Sequence, residues 1–355
     1  MRKIGYLTVF ISIFLLGFLY KSDTTPYPFP ELPLFPEMPV AKHNPVTIEG
    51  ALLGKYLFYD PILSSDSTIS CASCHKQQYA FSDAPNSFST GRNGVLMRRN
   101  TMPLFNLAWY PAFFWDGRAG DIEEQVFHPV RAYDEMNLDW EIASKRLKQN
   151  SFYTPLFKQA FGTTKIDSTH IAYAIAQFMR TLLSYQSKYD RVLAGQAYLS
   201  PDEYAGFVLM NDQSKGDCLH CHSTDGSVLG TDLRFSNNGL DAISNPLSYS
   251  DPGRGAITGK ASDYGTFIIP SLRNVVLTAP YMHDGRFSTL EDVLDFYSEG
   301  IQMSVNIDSK MQYAHQGGVN LTHLEKQQII SFLHTLTDSS FINNPEFSNP
   351  FEKLH

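Results

Sequence analysis

The four cysteines of this 355-residue chain all fall in two strings, Cys71-Ala-Ser-Cys74-His75 and Cys218-Leu-His-Cys221-His222. Two thiols separated by two residues can both reach the vinyl groups of one porphyrin, and the imidazole that follows then lies under the iron. Each string therefore predicts a covalently attached haem c. Cys71, Cys74 and His75 would hold one, and Cys218, Cys221 and His222 the other. The rival uses are a zinc site built from two CxxC pairs, or disulfides. A histidine directly after each pair is superfluous for either, and the pairs stand too far apart for a zinc ribbon.

A chain of this length favours about two domains, because single cores stop growing near 250 to 300 residues. The apolar content of 43% suits a soluble globular protein, and the net charge of −8 leaves no basic footprint for nucleic acid. Arg2 and Lys3 precede an apolar run from Ile4 to Tyr20 that reads as an export signal, which predicts a periplasmic protein. Small residues for cleavage are missing around Phe18 to Lys21, so an uncleaved inner-membrane anchor competes with a removed signal peptide. The expected organisation is a signal or anchor over 1–22, a Pro-rich tether over 23–40, an N-terminal haem domain over 41–188, a C-terminal haem domain over 189–338 and a tail over 339–355.

An internal repeat supports two haem domains. Ala174-Ile-Ala-Gln-Phe-Met-Arg-Thr-Leu182 resembles Gln328-Ile-Ile-Ser-Phe-Leu-His-Thr-Leu336, at nearly the offset that separates the two CxxCH strings. Both segments carry apolar residues at helical spacing, and Thr322 with Glu325 forms a capping box for the second. A further helix is expected from a capping box of Ser288 and Glu291 to Gly300, with Val293, Leu294 and Tyr297 on one face. Strand-like alternation is scarce. The fold class is therefore mainly α, with two cytochrome c-like haem domains and long irregular loops.

No histidine occurs from Lys76 to Phe127, which leaves Met97 and Met102 as the possible sixth ligands in the loop after the first motif. Further along stand Phe114-Trp-Asp-Gly-Arg-Ala119, Gln125, Glu135-Met136, and Pro270-Ser-Leu-Arg-Asn274 leading into Leu277-Thr-Ala-Pro-Tyr-Met-His-Asp-Gly285. With the two haem strings, this set resembles the bacterial dihaem cytochrome c peroxidases, including their MauG-like members, over about residues 45–338. The resemblance implies that the haem at His75 is the peroxide site, with Glu135 and Gln125 on its open face, and that the haem at His222 relays electrons. It implies Trp115 as the conduit between them, and a calcium ion held by Asn100 and the carbonyls of Thr278 and Pro280. His283 would lie near the second haem. Read alone, Glu135 could be a solvated surface carboxylate and Trp115 ordinary core packing.

Two positions depart from the common family pattern. Arg92 stands where many family peroxidases place a loop histidine that blocks the resting active haem; a guanidinium cannot ligate iron, which predicts a haem that is open without prior reduction. Tyr297 stands where a methionine commonly closes the second haem. MauG-like proteins use tyrosine there, and an anionic phenolate lowers the potential. Met303 or Met311 is the alternative ligand. The leading expectation is an oxidoreductase that reduces hydrogen peroxide with electrons from a small donor protein, a cytochrome c or cupredoxin. A MauG-like oxidase of a protein or small molecule, and a non-enzymatic electron-transfer cytochrome, are the alternatives.

Overall fold

The computed structural model describes residues 24–39, 41–223 and 229–352. The expected export signal or anchor lies outside the described residues, among which no helix is long and apolar enough to cross a membrane. The described chain is rich in helix. One two-stranded antiparallel sheet, β1 (Phe235–Ser236) and β2 (Phe267–Ile268), pairs Phe235 with Ile268.

The first half is built from α1 (Ile48–Tyr59), α2 (Cys71–Cys74), α3 (Ile122–Arg131), α4 (Trp140–Gln149), α5 (Tyr153–Phe161) and α6 (Ser168–Thr181). Thr47, Asp121 and Asp167 cap α1, α3 and α6 by accepting from backbone amides that have no helical partner. After α7 (Lys188–Leu193), the second half contains α8 (Pro201–Asn211), α9 (Gly255–Thr258), α10 (Leu290–Asp295) and α11 (His323–His334), and α12 (Ser339–Ile342) follows. The Ser200–Glu203 and Thr322–Glu325 boxes open α8 and α11.

The internal repeat has a physical counterpart in two helix pairs. α1 lies against α6, and α8 against α11. In the first pair, a Cβ on Gly54 would meet the Ala174 carbonyl oxygen at 1.9 Å and the Phe178 side chain at 2.9 Å. In the second, a Cβ on Gly206 would meet the Gln328 carbonyl at 2.0 Å and the Phe332 side chain at 3.0 Å. Ala174 and Phe178 are the repeat equivalents of Gln328 and Phe332, so each half uses one glycine to bring its outer helices to backbone contact.

Two apolar cores follow from these pairs. One gathers Leu53, Leu57, Phe58, Phe81, Phe157, Ile175 and Phe178; the other gathers Tyr189, Met210, Leu294, Ile329, Phe332 and Leu336. Phe341 and Phe347, in the stretch read from sequence as a tail, return to the first core, and the Tyr59 hydroxyl donates to the Phe347 carbonyl at 2.6 Å. The Pro-rich stretch is packed as well. Phe29, Leu32, Phe35 and Met38 lie on Trp109, Leu183 and Leu229, and the Trp109 indole donates to the Pro36 carbonyl at 3.1 Å.

One expected cap is corrected. The box opening α10 is Thr289 with Asp292, one residue later than Ser288 with Glu291. The spacing fits both pairs, but Phe287 is paired with Tyr281 as a β-bridge, which keeps the chain extended past Ser288. Starting at Leu290 also buries Leu290 and Leu294 one turn apart. A π-turn over Phe296–Gly300 then carries Tyr297.

Candidate active site

Each CxxCH string sits in the wall of its own cavity. Cys71, Cys74 and His75 line a cavity of about 680 Å³, and Cys218, Cys221 and His222 line one of about 230 Å³. The cysteines form no disulfide, and burial pushes all four thiols up, to about 12 at Cys71 and Cys218 and about 11 at Cys74 and Cys221. Two CxxC pairs in the walls of separate cavities do not converge on one zinc, and each pair beside its own histidine fits thioether attachment.

The motif histidines are oriented by the same device. Nδ1 of His75 is 2.7 Å from the Phe81 carbonyl, and Nδ1 of His222 is 2.9 Å from the Pro270 carbonyl. A protonated Nδ1 directed at a carbonyl leaves Nε2 free as a neutral donor to a metal, and burial lowers both pKa values, which favours that form. The Phe81 carbonyl is delivered by a tight turn in which Ala80 and Phe81 have φ of 53° and 60°, closed by the Phe81 amide on the Lys76 carbonyl at 2.9 Å. The donor sets thus fit two covalently held haems.

The first cavity also brings in Gln125, Pro129, Glu135 and Met136 from α3 and the turn after it, with Met97 and Met102 from the preceding loop. Burial and the neighbouring Asp134 raise the Glu135 carboxyl to about 7, partly offset by Arg118. Arg92 takes no place in this wall. Its side chain pairs with Asp66 at 3.1 Å, while its amide donates to the Glu135 carbonyl at 3.0 Å and so pins the turn that carries the acid.

Tyr297, Val293 and Leu294 line the second cavity, and Met282 and Met311 line it too. Met303, one of the alternatives from sequence, is 56% exposed and lies outside the cavity wall. Burial pushes the Tyr297 phenol up to about 12, with the Asn238 hydrogen bond acting in the opposite direction. Trp115 and His283 line both cavities. The Trp115 indole donates to the Asn100 carbonyl at 2.8 Å, the Asn100 amide donates to the His283 carbonyl at 2.7 Å, and the His283 ring stacks on Phe267 with centroids 3.7 Å apart.

Residues 48–198 match the sequence model of the family described as di-haem cytochrome c peroxidase. The chain is 38% identical over 304 residues to the methylamine utilization protein MauG of Methylorubrum extorquens, covering 84% of this chain and 81% of that one. It belongs to the dihaem cytochrome c peroxidase family. A second family member, the cytochrome c551 peroxidase of Nitrosomonas europaea, is 33% identical over 318 residues, 89% of this chain and 86% of the other. Among solved structures, a MauG-like protein associated with microbial copper homeostasis superposes with a TM-score of 0.84 at 33% identity, over 92% of this chain and all of that one. As a dihaem peroxidase family member, the chain is a haem-dependent oxidoreductase of the cytochrome-c peroxidase type.

The sequence reading missed Asn238, Met282 and the Arg99 ion pairs. Arg99 bonds Asp116 at 2.6 Å and Asp251 at 2.7 Å, joining the two halves beside Trp115. Its partners are separated by more than a hundred residues, and nothing local marks them.

Proposed function

We propose that this protein reduces hydrogen peroxide to water at the cavity of His75, within two cytochrome c-like haem domains. The carrying observation is the half-buried Glu135 carboxyl in the wall of that cavity, raised to about 7. Haem bound through Cys71, Cys74 and His75 would supply the redox centre that splits the O–O bond, and haem at His222 would supply stored electrons.

The remaining chemistry belongs to the chain. Reduction of peroxide to two waters consumes two electrons and two protons, and the O–O bond breaks readily only if a proton moves from one oxygen to the other. Glu135 would take the proton from one peroxide oxygen as a carboxylate and return it to the other, departing oxygen as an acid; a pKa near 7 suits both roles. Gln125, one amide in the same wall, orients the peroxide or its departing water. Trp115, shared by both cavities and fixed by its bond to Asn100, carries electrons between them. Arg92, turned to Asp66, supplies no blocking ligand from the loop position where family peroxidases place a histidine, which supports activity without prior reduction.

The side-chain oxygen of Asn100 and the carbonyls of Thr278 and Pro280 accept no hydrogen bond among the described residues, while the Asn100 side-chain nitrogen donates to the Ser87 carbonyl at 3.1 Å. Such neutral oxygen donors suit a hard cation, so these three are assigned to calcium. A calcium there would stiffen the Asn100 link between Trp115 and His283.

A second reading concerns where the electrons originate. Tyr297 in the wall of the second cavity, and the 38% identity to a MauG protein, favour an oxidase that draws electrons from a protein or small-molecule substrate. A periplasmic setting, in which a small cytochrome or cupredoxin is the donor, accompanies the first reading. Adding peroxide to the dihaem protein separates the two. Rapid turnover with a reduced donor protein supports the peroxidase, and a long-lived oxidised state without a donor supports the oxidase. Absence of any reaction with peroxide would overturn both.

A further inference from the structure

The second cavity contains a hydrogen bond that no local sequence pattern announces. Asn238 follows β1, and its side-chain nitrogen donates to the Tyr297 hydroxyl oxygen at 3.0 Å. The same nitrogen lies 3.7 Å from the sulfur of Met282. A thioether only accepts, so the group facing it is the NH₂ end of the amide, and the carbonyl end points elsewhere. Asn238 therefore acts as a donor towards Tyr297.

Both partners are held from outside the cavity. The Asn237 carbonyl accepts from the Asp308 amide at 2.9 Å, and the Gly239 carbonyl accepts from the Gln302 amide at 2.8 Å. Gly239 itself has φ of 76° and sits so close to the Gln302 carbonyl that a Cβ would meet it at 2.6 Å. Tyr297 is fixed by the Val319 amide on its carbonyl at 3.2 Å and by the Phe296 ring at 4.9 Å. Neither side chain can drift far from the other.

We propose that Asn238 is a positioning residue for Tyr297. Its amide fixes the phenol oxygen in the second cavity and withdraws charge from it, and so sets how strongly Tyr297 donates to the haem at His222. The inference rests on Tyr297 being the ligand of that haem. An oxygen bound to iron has given up its proton and can only accept, which matches the donor presented by Asn238. The role of the second contact is to hold the amide in this orientation, because turning it over would set its carbonyl against both the sulfur and the phenolate.

The test uses the dihaem protein with both haems attached, and follows the ferric spectrum and midpoint potential of each haem. Asn238→Leu removes the donor, and Asn238→Asp keeps the shape but presents an acceptor. Without its donor the phenolate becomes the stronger ligand, so both variants should lower the potential of the low-spin haem, Asn238→Asp by more, and leave the His75 haem unmoved. In a Tyr297→Phe background Asn238→Leu should have no further effect. An unchanged potential in both variants, or an equal shift in the Tyr297→Phe background, overturns the proposal. Failure of the underlying ligand assignment looks different: Tyr297→Phe alone would then leave the low-spin spectrum as it is. Haem content per chain verifies that each variant folds.

Discussion

Glu135 owes its chemistry to where the chain puts it. A carboxyl ordinarily near 4.5 is raised to about 7 by burial and by Asp134. Below pH 7 it is protonated and cannot take the first proton of peroxide, so the rate of peroxide reduction should rise with pH through about 7. Glu135→Gln should abolish that limb and cost about 10²- to 10⁴-fold in rate, as measured by stopped-flow mixing with peroxide across pH. The same shift has a stability consequence of definite sign. The folded state holds this proton up to about pH 7 while the unfolded state releases it near 4.5, so the contribution is intact below 4.5 and lost as pH rises to 7. Glu135→Gln should therefore be more stable than the parent at pH 8, by at most about 3 kcal/mol at 1.36 kcal/mol per pKa unit, in denaturant unfolding. At this scale the two cavity-lining strings were legible because their chemistry is local: Cys, Cys and His within five consecutive positions. Glu135 was visible only through family resemblance, since burial and the field of Asp134 and Arg118 come from the fold. Asn238 was invisible because its partner Tyr297 lies far along the chain.

The helix pairs explain why one sequence repeats its architecture around two haems. Gly54 and Gly206 have the same task, admitting the facing backbone to a distance no side chain would allow. Gly206→Ala gains about 1 kcal/mol of helix propensity, yet it sets a Cβ against the Gln328 carbonyl, where no flexible atom can yield. Overpacking of this kind costs about 1–3 kcal/mol or more. Net destabilisation is the expected outcome, seen as an earlier unfolding of the second core than of the first when each haem's Soret band is followed separately. Gly54→Ala should reverse the order. The repeat itself was readable from the apolar spacing in α6 and α11, and their end signals were readable from Thr322 and Glu325. The start of α10 was off by one residue because two boxes fit the same stretch, and the β-bridge of Phe287 with Tyr281, a contact outside the helix, decides between them.

Across the whole molecule, the two cores are joined by charges and by one aromatic wall. Arg99 spans Asp116 and Asp251. The Asp338 carboxylate accepts from the amides of Tyr185 and Gln186 at 2.8 and 2.9 Å, tying the crossover between the halves to the chain beyond α11. Trp115 is the indole that both cavities share. Trp115→Phe should leave the two haem spectra in place and slow electron exchange between the haems, as read by the rate at which the reduced second haem is reoxidised after peroxide is added; an unchanged rate would assign the path to His283 and Phe267 instead. The inequality of the two haems is the central claim, with Glu135 and Gln125 beside an open face at His75, and Tyr297 closing the face at His222. Electron paramagnetic resonance of the resting ferric dihaem protein tests it most directly. The expected result is one high-spin signal from the His75 haem beside one low-spin signal, with only the low-spin signal altered by Tyr297→Phe. Two low-spin signals, or a high-spin signal that disappears in Tyr297→Phe, would contradict it.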